Sequence, residues 1–181
     1  MRALIVFESI YGNTRTIAEH VAVGLSDRFD ATVVSVVDAT PELVDRADLL
    51  VCGGPTHVHG LSSRSTRRAA FDGARKDPTV DVLPGAEGDG IREWLEHAAP
   101  RQGCVAAAFD TRVKAPAAFT GRASKRIARR LHRHGCTLAV APESFLVDKQ
   151  NHLLEDQSER AEAWGRSLAV AAAMYPTTPR R

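Results

Sequence analysis

Five short apolar runs set the limits on what this chain can fold into: ALIVF (3–7), ATVVSVV (31–37), DLLVCGG (48–54), CVAAAF (104–109) and CTLAV (136–140). They are Val-rich and nearly continuous rather than alternating, the pattern of strands covered on both faces. Between them, apolar positions recur at helical spacing. Ile17, Ala18, Val21 and Leu25 share one face of a first helix, and Ile91, Trp94, Leu95 and Ala98 share one in a segment that Pro100 stops. Ile127, Ala128 and Leu131 mark another, closed by Gly135 as its C-terminal glycine. The last starts near Asp156, read as its cap with Glu159 three residues on, and carries Ala161, Trp164 and Leu168. Strand and helix alternate from end to end. This predicts one α/β domain, a three-layer doubly wound parallel sheet of five strands with helices on both faces.

The other segments are less regular. Residues 73–90, rich in Gly, Pro and Asp, read as a surface loop with turns, and ESFLVDKQNHLLED (143–156) has apolar residues without a clear period. The domain is expected to span 1–175, with 176–181 a disordered tail. At 181 residues and a net charge of +2, the chain is long enough for a sizeable core and nearly balanced in charge. No run approaches the roughly 18 apolar residues of a membrane span. Glu8 cuts the N-terminal apolar stretch short and no small-residue cleavage site follows, so a cytoplasmic protein is expected. Cys52, Cys104 and Cys136 are odd in number, far apart and each in or beside an apolar run, which predicts reduced, buried thiols. Trp94 and Trp164 fall at helical spacing with aliphatics and are expected in the core.

The stretch ESIYGNT (8–14) sits between the first strand and the first helix. In an open parallel sheet, ligands bind outside the carboxyl ends of the strands, and a helix N-terminus offers free N–H groups and partial positive charge to an anion. The G-x-G-x-x-G of a dinucleotide site and the G-K-[ST] of a triphosphate loop are both absent. Ser9, Tyr11, Asn13 and Thr14 instead supply hydroxyls and an amide, and Gly12 lets the backbone curl. Such a set suits a terminal monophosphate. The competing reading is a strand-to-helix turn in which Asn13 or Thr14 caps the helix.

The run Ser9-Ile10-Tyr11-Gly12-Asn13-Thr14 resembles the flavodoxin phosphate-binding loop [ST]-x-[ST]-G-x-[ST], with Tyr11 in place of the middle hydroxyl residue. Gly53-Gly54-Pro55-Thr56-His57-Val58-His59-Gly60 follows the third strand, where that family has its second flavin loop. Phe109-Asp110-Thr111-Arg112 follows the fourth, where the third loop belongs. The resemblance covers nearly the whole chain and implies strand order 2-1-3-4-5 and FMN as cofactor. Ser9, Ile10, Tyr11, Gly12, Asn13 and Thr14 would enclose the phosphate. Pro55, Thr56, His57, Val58, His59 and Gly60 would line one side of the isoalloxazine, with Gly60 free to turn its peptide. Phe109, Asp110, Thr111 and Arg112 would approach the pyrimidine edge or the ribityl chain. The third loop holds no Tyr or Trp to stack on the ring. Asp110 has a second reading, as a cap for the segment that follows it. His57-x-His59 has no third ligand nearby, which argues against a metal.

Three functions stay open at this point. The first is an FMN-binding electron-transfer protein of flavodoxin type, more a carrier than an enzyme with a substrate of its own. The second is an FMN-dependent NAD(P)H:quinone or flavin reductase, and the third a flavin-free interaction module of the same fold. No Asp or Glu occurs from Thr111 to Pro142, while Arg122, Lys125, Arg126, Arg129, Arg130 and Arg133 follow helical spacing as one basic stripe. The stripe reads either as a solvated face or as a docking surface for an acidic redox partner. Nucleic acid is disfavoured, because the chain lacks a recognised binding motif and its net charge is small.

Overall fold

β1 (Arg2–Phe7) explains why the apolar runs do not alternate. Its side chains point to two separate cores, Ala3, Ile5 and Phe7 to one and Leu4 and Val6 to the other. β2 (Asp30–Ser35) lies parallel on one side of it and β3 (Leu49–His57) on the other. A two-residue strand, β4 (Gly60–Leu61), folds back antiparallel on the end of β3, and β5 (Val105–Val113) runs parallel beyond β3. These coordinates come from a computed structural model that describes residues 1–57, 60–74, 82–83 and 86–176. Val58 and His59, the 75–81 and 84–85 parts of the expected loop, and the tail from 177 lie outside the described residues.

The outermost position beside β5 is shared by two segments. β6 (Thr137–Leu138) pairs with Val105 and Ala106, and β7 (Glu143–Val147) pairs with Phe109 to Val113. The order is therefore the expected 2-1-3-4-5 with its last strand broken in two. The Ala139 N–H still reaches the Ala106 carbonyl at 2.9 Å, but Pro142 has no N–H to give the ladder. The stretch that showed no period in sequence begins with the second half of this strand.

α1 (Asn13–Leu25) and α7 (Gln157–Ala172) cover one face of the sheet. α2 (Pro41–Arg46), α4 (Ile91–His97) and α6 (Ala123–Arg133) cover the other, with α3 (Arg64–Ala74) and the single turn α5 (Ala117–Thr120) near the carboxyl ends of the strands. Gly135 closes α6 at φ +84°, as expected. Both tryptophans pack against the cores, Trp164 edge-on to Phe109 and Phe145, and Trp94 with its indole N–H 3.4 Å from the Ala39 carbonyl. Asp156 precedes α7 as expected but does not cap it. Its backbone sits at φ +70°, and its carboxylate accepts from the Gln157 side chain instead of the helix N–H groups. Among the described residues, no helix is long and apolar enough to cross a membrane.

The cysteine expectation fails for two of the three. Cys104 and Cys136 form a disulfide, their Cα atoms 4.6 Å apart. The register explains the pairing: Val105 lies opposite Thr137, so the residues just before them start two neighbouring parallel strands side by side. Only Cys52 is a free thiol, fully buried, and burial pushes its pKa far above the ordinary thiol value.

Candidate functional site

β3 and β5 run further than their apolar sequences suggest. Gly54 pairs with Asp110 and Pro55 with Thr111, so Gly53–His57 and Phe109–Arg112 are strand residues, not loops. The added length finds partners on both sides, since β7 continues the ladder from Phe109 to Val113. Position along β5 then decides which of the four residues meet the site, the pair nearest its carboxyl end. Phe109 points into the core between Phe145 and Trp164 and is fully buried. Asp110 is also fully buried, on the α6 side, where Oδ2 accepts the Ser124 N–H at 2.8 Å and the Thr56 hydroxyl at 3.1 Å. The carboxylate thus serves the first turn of α6, the capping role weighed for it in sequence. Neither residue reaches the open cavity.

That cavity, of about 460 Å³, opens at the carboxyl ends of β1, β3 and β5. Its first wall is the loop into α1, with Ser9, Ile10, Tyr11, Asn13 and Thr14. Its second is Pro55, Thr56 and His57, and its third Thr111 and Arg112. Three segments chosen from separate parts of the sequence meet around one space. Gly12 and Gly60 stand behind the surface: Gly12 shapes the loop, and Gly60 is buried beneath the Arg126 guanidinium. Val58 and His59 lie outside the described residues.

The loop into α1 is not an ordinary helix cap. Gly12 occupies the cap position at φ +88°, ψ −27°, a left-handed conformation that glycine adopts without penalty, and no side chain bonds the free N–H groups of α1. Thr14, expected as a cap on the turn reading, hydrogen-bonds Thr111 hydroxyl to hydroxyl at 2.8 Å, and Asn13 donates to the Asn151 carbonyl at 2.5 Å. The Ser9 hydroxyl, on a residue only 7 % exposed, has no partner among the described residues. A buried orphan hydroxyl beside uncapped helix N–H groups is costly unless a ligand satisfies them.

The root of the loop is tied down by a buried ionic group. Glu8 accepts the Ile91 N–H at 2.8 Å, while Arg67, 1 % exposed, donates to the Ser62 hydroxyl at 2.9 Å and pairs with Glu93 at 3.0 Å. Burial raises the Glu8 carboxyl above its ordinary value, only partly countered by Ser62, the Ile91 N–H and the Arg67 charge. His57 is shifted downward, first by burial and then by the same Arg67 charge, so its neutral form is favoured. Burial also raises the Tyr11 phenol.

Sequence reasoning missed the remaining walls. Thr66, Ala69 and Ala70 of α3 face the cavity, as do Val113, Val147 and Asn151. The i, i+3, i+4 spacing of Thr66, Ala69 and Ala70 carried a helical signal. Nothing local to Asn151 marked it. The basic stripe is also thinner than its spacing implied. Arg122 precedes the helix and donates to Ser144 and the Pro142 carbonyl, and Arg130 is held by Glu96 and the Arg92 carbonyl. Lys125, Arg126, Arg129 and Arg133 remain exposed, with no ion pair among the described residues.

The flavodoxin family model matches residues 5–95, the half that holds the first two cavity walls. Among solved structures, the fold is similar to a flavodoxin from the domain Archaea, with 19 % identity and a TM-score of 0.64 over 96 % of this chain and 99 % of that one. It is similar to a WrbA-like flavodoxin protein from Agrobacterium tumefaciens, with 21 % identity and a TM-score of 0.62 over 97 % and 99 %. Flavodoxin 1 from Bacillus cereus gives 14 % and 0.63 over 97 % and 99 %. No curated protein matches the chain.

Proposed function

This chain belongs to the flavodoxin family, and on that premise we propose that it is an FMN-binding electron-transfer protein. The observation that carries the reading is the Ser9 hydroxyl, buried and unpartnered beside the uncapped N–H groups of α1. A phosphate there would satisfy both, since its oxygens accept from hydroxyls and helix N–H groups alike. The residues fit the group in other respects. A cavity of about 460 Å³ lies in the range of small-molecule sites, and its walls are mostly apolar with a few convergent polar groups. When bound, FMN supplies the redox chemistry, and the protein sets orientation, access and electrostatics.

Each wall has a task in this reading. Ser9, Thr14 and the α1 N–H groups hold the phosphate, and Gly12 gives the loop the curvature to bring them together. Pro55, Thr56 and His57 flank the ring on one side, with Ala69 and Ala70 giving an apolar wall. The test is equilibrium binding of FMN and riboflavin to the purified protein. FMN should bind one per chain and riboflavin much more weakly. Equal affinity for the two removes the phosphate assignment. Slow NAD(P)H oxidation by the loaded protein is expected of a carrier, and fast saturable turnover of a reductase.

The exposed cations of α6 fit the carrier role. The helix begins at the Asp110–Ser124 bond behind the cavity, and Arg126 lies over Gly60. Lys125, Arg126, Arg129 and Arg133 form a basic face whose complement is an acidic redox partner.

A further inference from the structure

Arg112 is held in the cavity wall in an unusual way. Its Nη1 donates to the Ala115 carbonyl at 2.7 Å and the Thr120 hydroxyl at 3.2 Å, with the Val113 carbonyl at 3.4 Å. The other edge of the guanidinium is unpaired among the described residues. Nε is buried with no acceptor among the described residues, and Nη2 has none there either. Nε–H and Nη2–H point in parallel, forming the fork with which arginine grips two oxygens or an oxygen and a ring nitrogen. An arginine always carries its charge, and a buried donor of a charged group left unpaired is among the more expensive defects a fold can keep.

The charge of the surroundings sharpens the point. Among the described residues lining the cavity, Arg112 is the only one with a fixed charge, and no Asp or Glu faces it there. His57, the other titratable base in the wall, is pushed towards neutrality by burial and by Arg67. The cavity therefore presents one uncompensated positive charge on a rigid mount. Any occupant that becomes more negative gains from it, and charge near the flavin ring is a recognised means of tuning its electronics.

We propose that Arg112, through its fixed charge and unpaired Nε–H, makes the cavity selective for the reduced, anionic form of the flavin over the oxidised form. The inference rests on the FMN reading and deepens it. Oxidised flavin plus two electrons and one proton gives a ring with one added negative charge, so a fixed cation favours the product side. By the binding cycle, tighter holding of the reduced form raises the two-electron reduction potential of the bound flavin.

The experiment compares wild type, Arg112→Gln and Arg112→Lys. It measures the dissociation constants of oxidised FMN and of dithionite-reduced FMN, and the midpoint potential of the bound flavin at equilibrium with a reference dye. For Arg112→Gln, oxidised FMN should weaken less than about threefold and reduced FMN at least tenfold. The midpoint should then fall by at least about 15 mV, because a tenfold change in the affinity ratio is about 30 mV for two electrons. Arg112→Lys keeps the charge and should retain most of the preference, which separates electrostatics from a folding defect. Equal weakening of both forms would make Arg112 a clamp or a phosphate contact and overturn the inference while leaving the FMN reading intact. No change in either form overturns it equally. Wild-type protein that binds neither form overturns the FMN reading and this inference together.

Discussion

Thr14 and Thr111, 97 positions apart, meet hydroxyl to hydroxyl at 2.8 Å in the cavity wall, joining the start of α1 to the end of β5. This bond fixes the first turn of α1 against the sheet and leaves the Ser9 hydroxyl buried without a partner among the described residues. Ser9→Ala should therefore leave the melting temperature of the ligand-free protein nearly unchanged, since the hydroxyl has no protein partner to lose. It should weaken FMN by about 1.5–3 kcal/mol, the worth of a hydrogen bond to a charged group, and leave riboflavin unaffected. Thr14→Ala should weaken FMN and also lower stability, because Thr111 loses its partner. Titration calorimetry and thermal melts separate the two patterns.

Gly53 is required by Phe109. A Cβ on Gly53 would overlap the Cζ, Cε1 and Cε2 atoms of that ring, which Phe145 and Trp164 hold in place. Gly53→Ala should cost about 1–3 kcal/mol by overpacking. Combined with Phe109→Leu, it should be more stable than the sum of the two single changes, because the smaller side chain vacates the overlap. Urea denaturation of the four proteins decides. Simple additivity would mean the ring moves aside freely.

His57 should titrate below its ordinary 6.5, because burial and then the Arg67 charge oppose protonation in the fold. A base with a depressed native pKa takes up its proton first in the unfolded chain. Its contribution to stability is thus present above pH 6.5 and lost as pH falls through the native value. The His57 ring proton followed by NMR should give the lowered midpoint directly. In His57→Gln, unfolding free energy should fall less steeply as pH drops below 6.5. A His57 midpoint at or above 6.5 rejects the burial argument.

The Cys104–Cys136 bridge is countable. Native protein should show no reactive thiol, denatured unreduced protein one, from Cys52, and denatured reduced protein three. Reducing the bridge should lower unfolding free energy by about 4 kcal/mol, as closing a loop of this size restricts the unfolded chain. Three reactive thiols without reductant would show that the bridge does not form in solution.

Electron transfer from the loaded protein to an acidic protein acceptor should slow with added salt. The Debye length shrinks from about 10 Å at 0.1 M to about 3 Å at 1 M, which screens the attraction of the α6 face. Arg129→Glu/Arg133→Glu should reduce the low-salt rate at least tenfold and remove the salt dependence, whereas reversing Arg130, already paired with Glu96, should have a smaller effect. A rate indifferent to salt and to charge reversal leaves the face as solvated surface.

The strand order and two of the three cavity segments came from the flavodoxin resemblance, while the alternation of apolar runs and helical periods was enough to read the layers and the first cavity segment. These are local signals: burial on both faces makes a strand uniformly apolar, and a loop after a parallel strand lies at the binding end whatever its neighbours do. What each residue does in the cavity depended on partners distant in sequence. Phe109 and Arg112 sit in one quoted tetrapeptide, yet Phe145 and Trp164 enclose one in the core, while Ala115 and Thr120 pin the other at the cavity. Cys104 and Cys136 look unrelated until parallel register starts their strands side by side. The second half of the outer strand, 143–147, has little period of its own and becomes a strand because β5 offers it an open ladder. Hydrophobic periodicity is written along the chain, whereas hydrogen-bond partners, register and charge compensation are settled between segments, and only the folded chain brings those segments together.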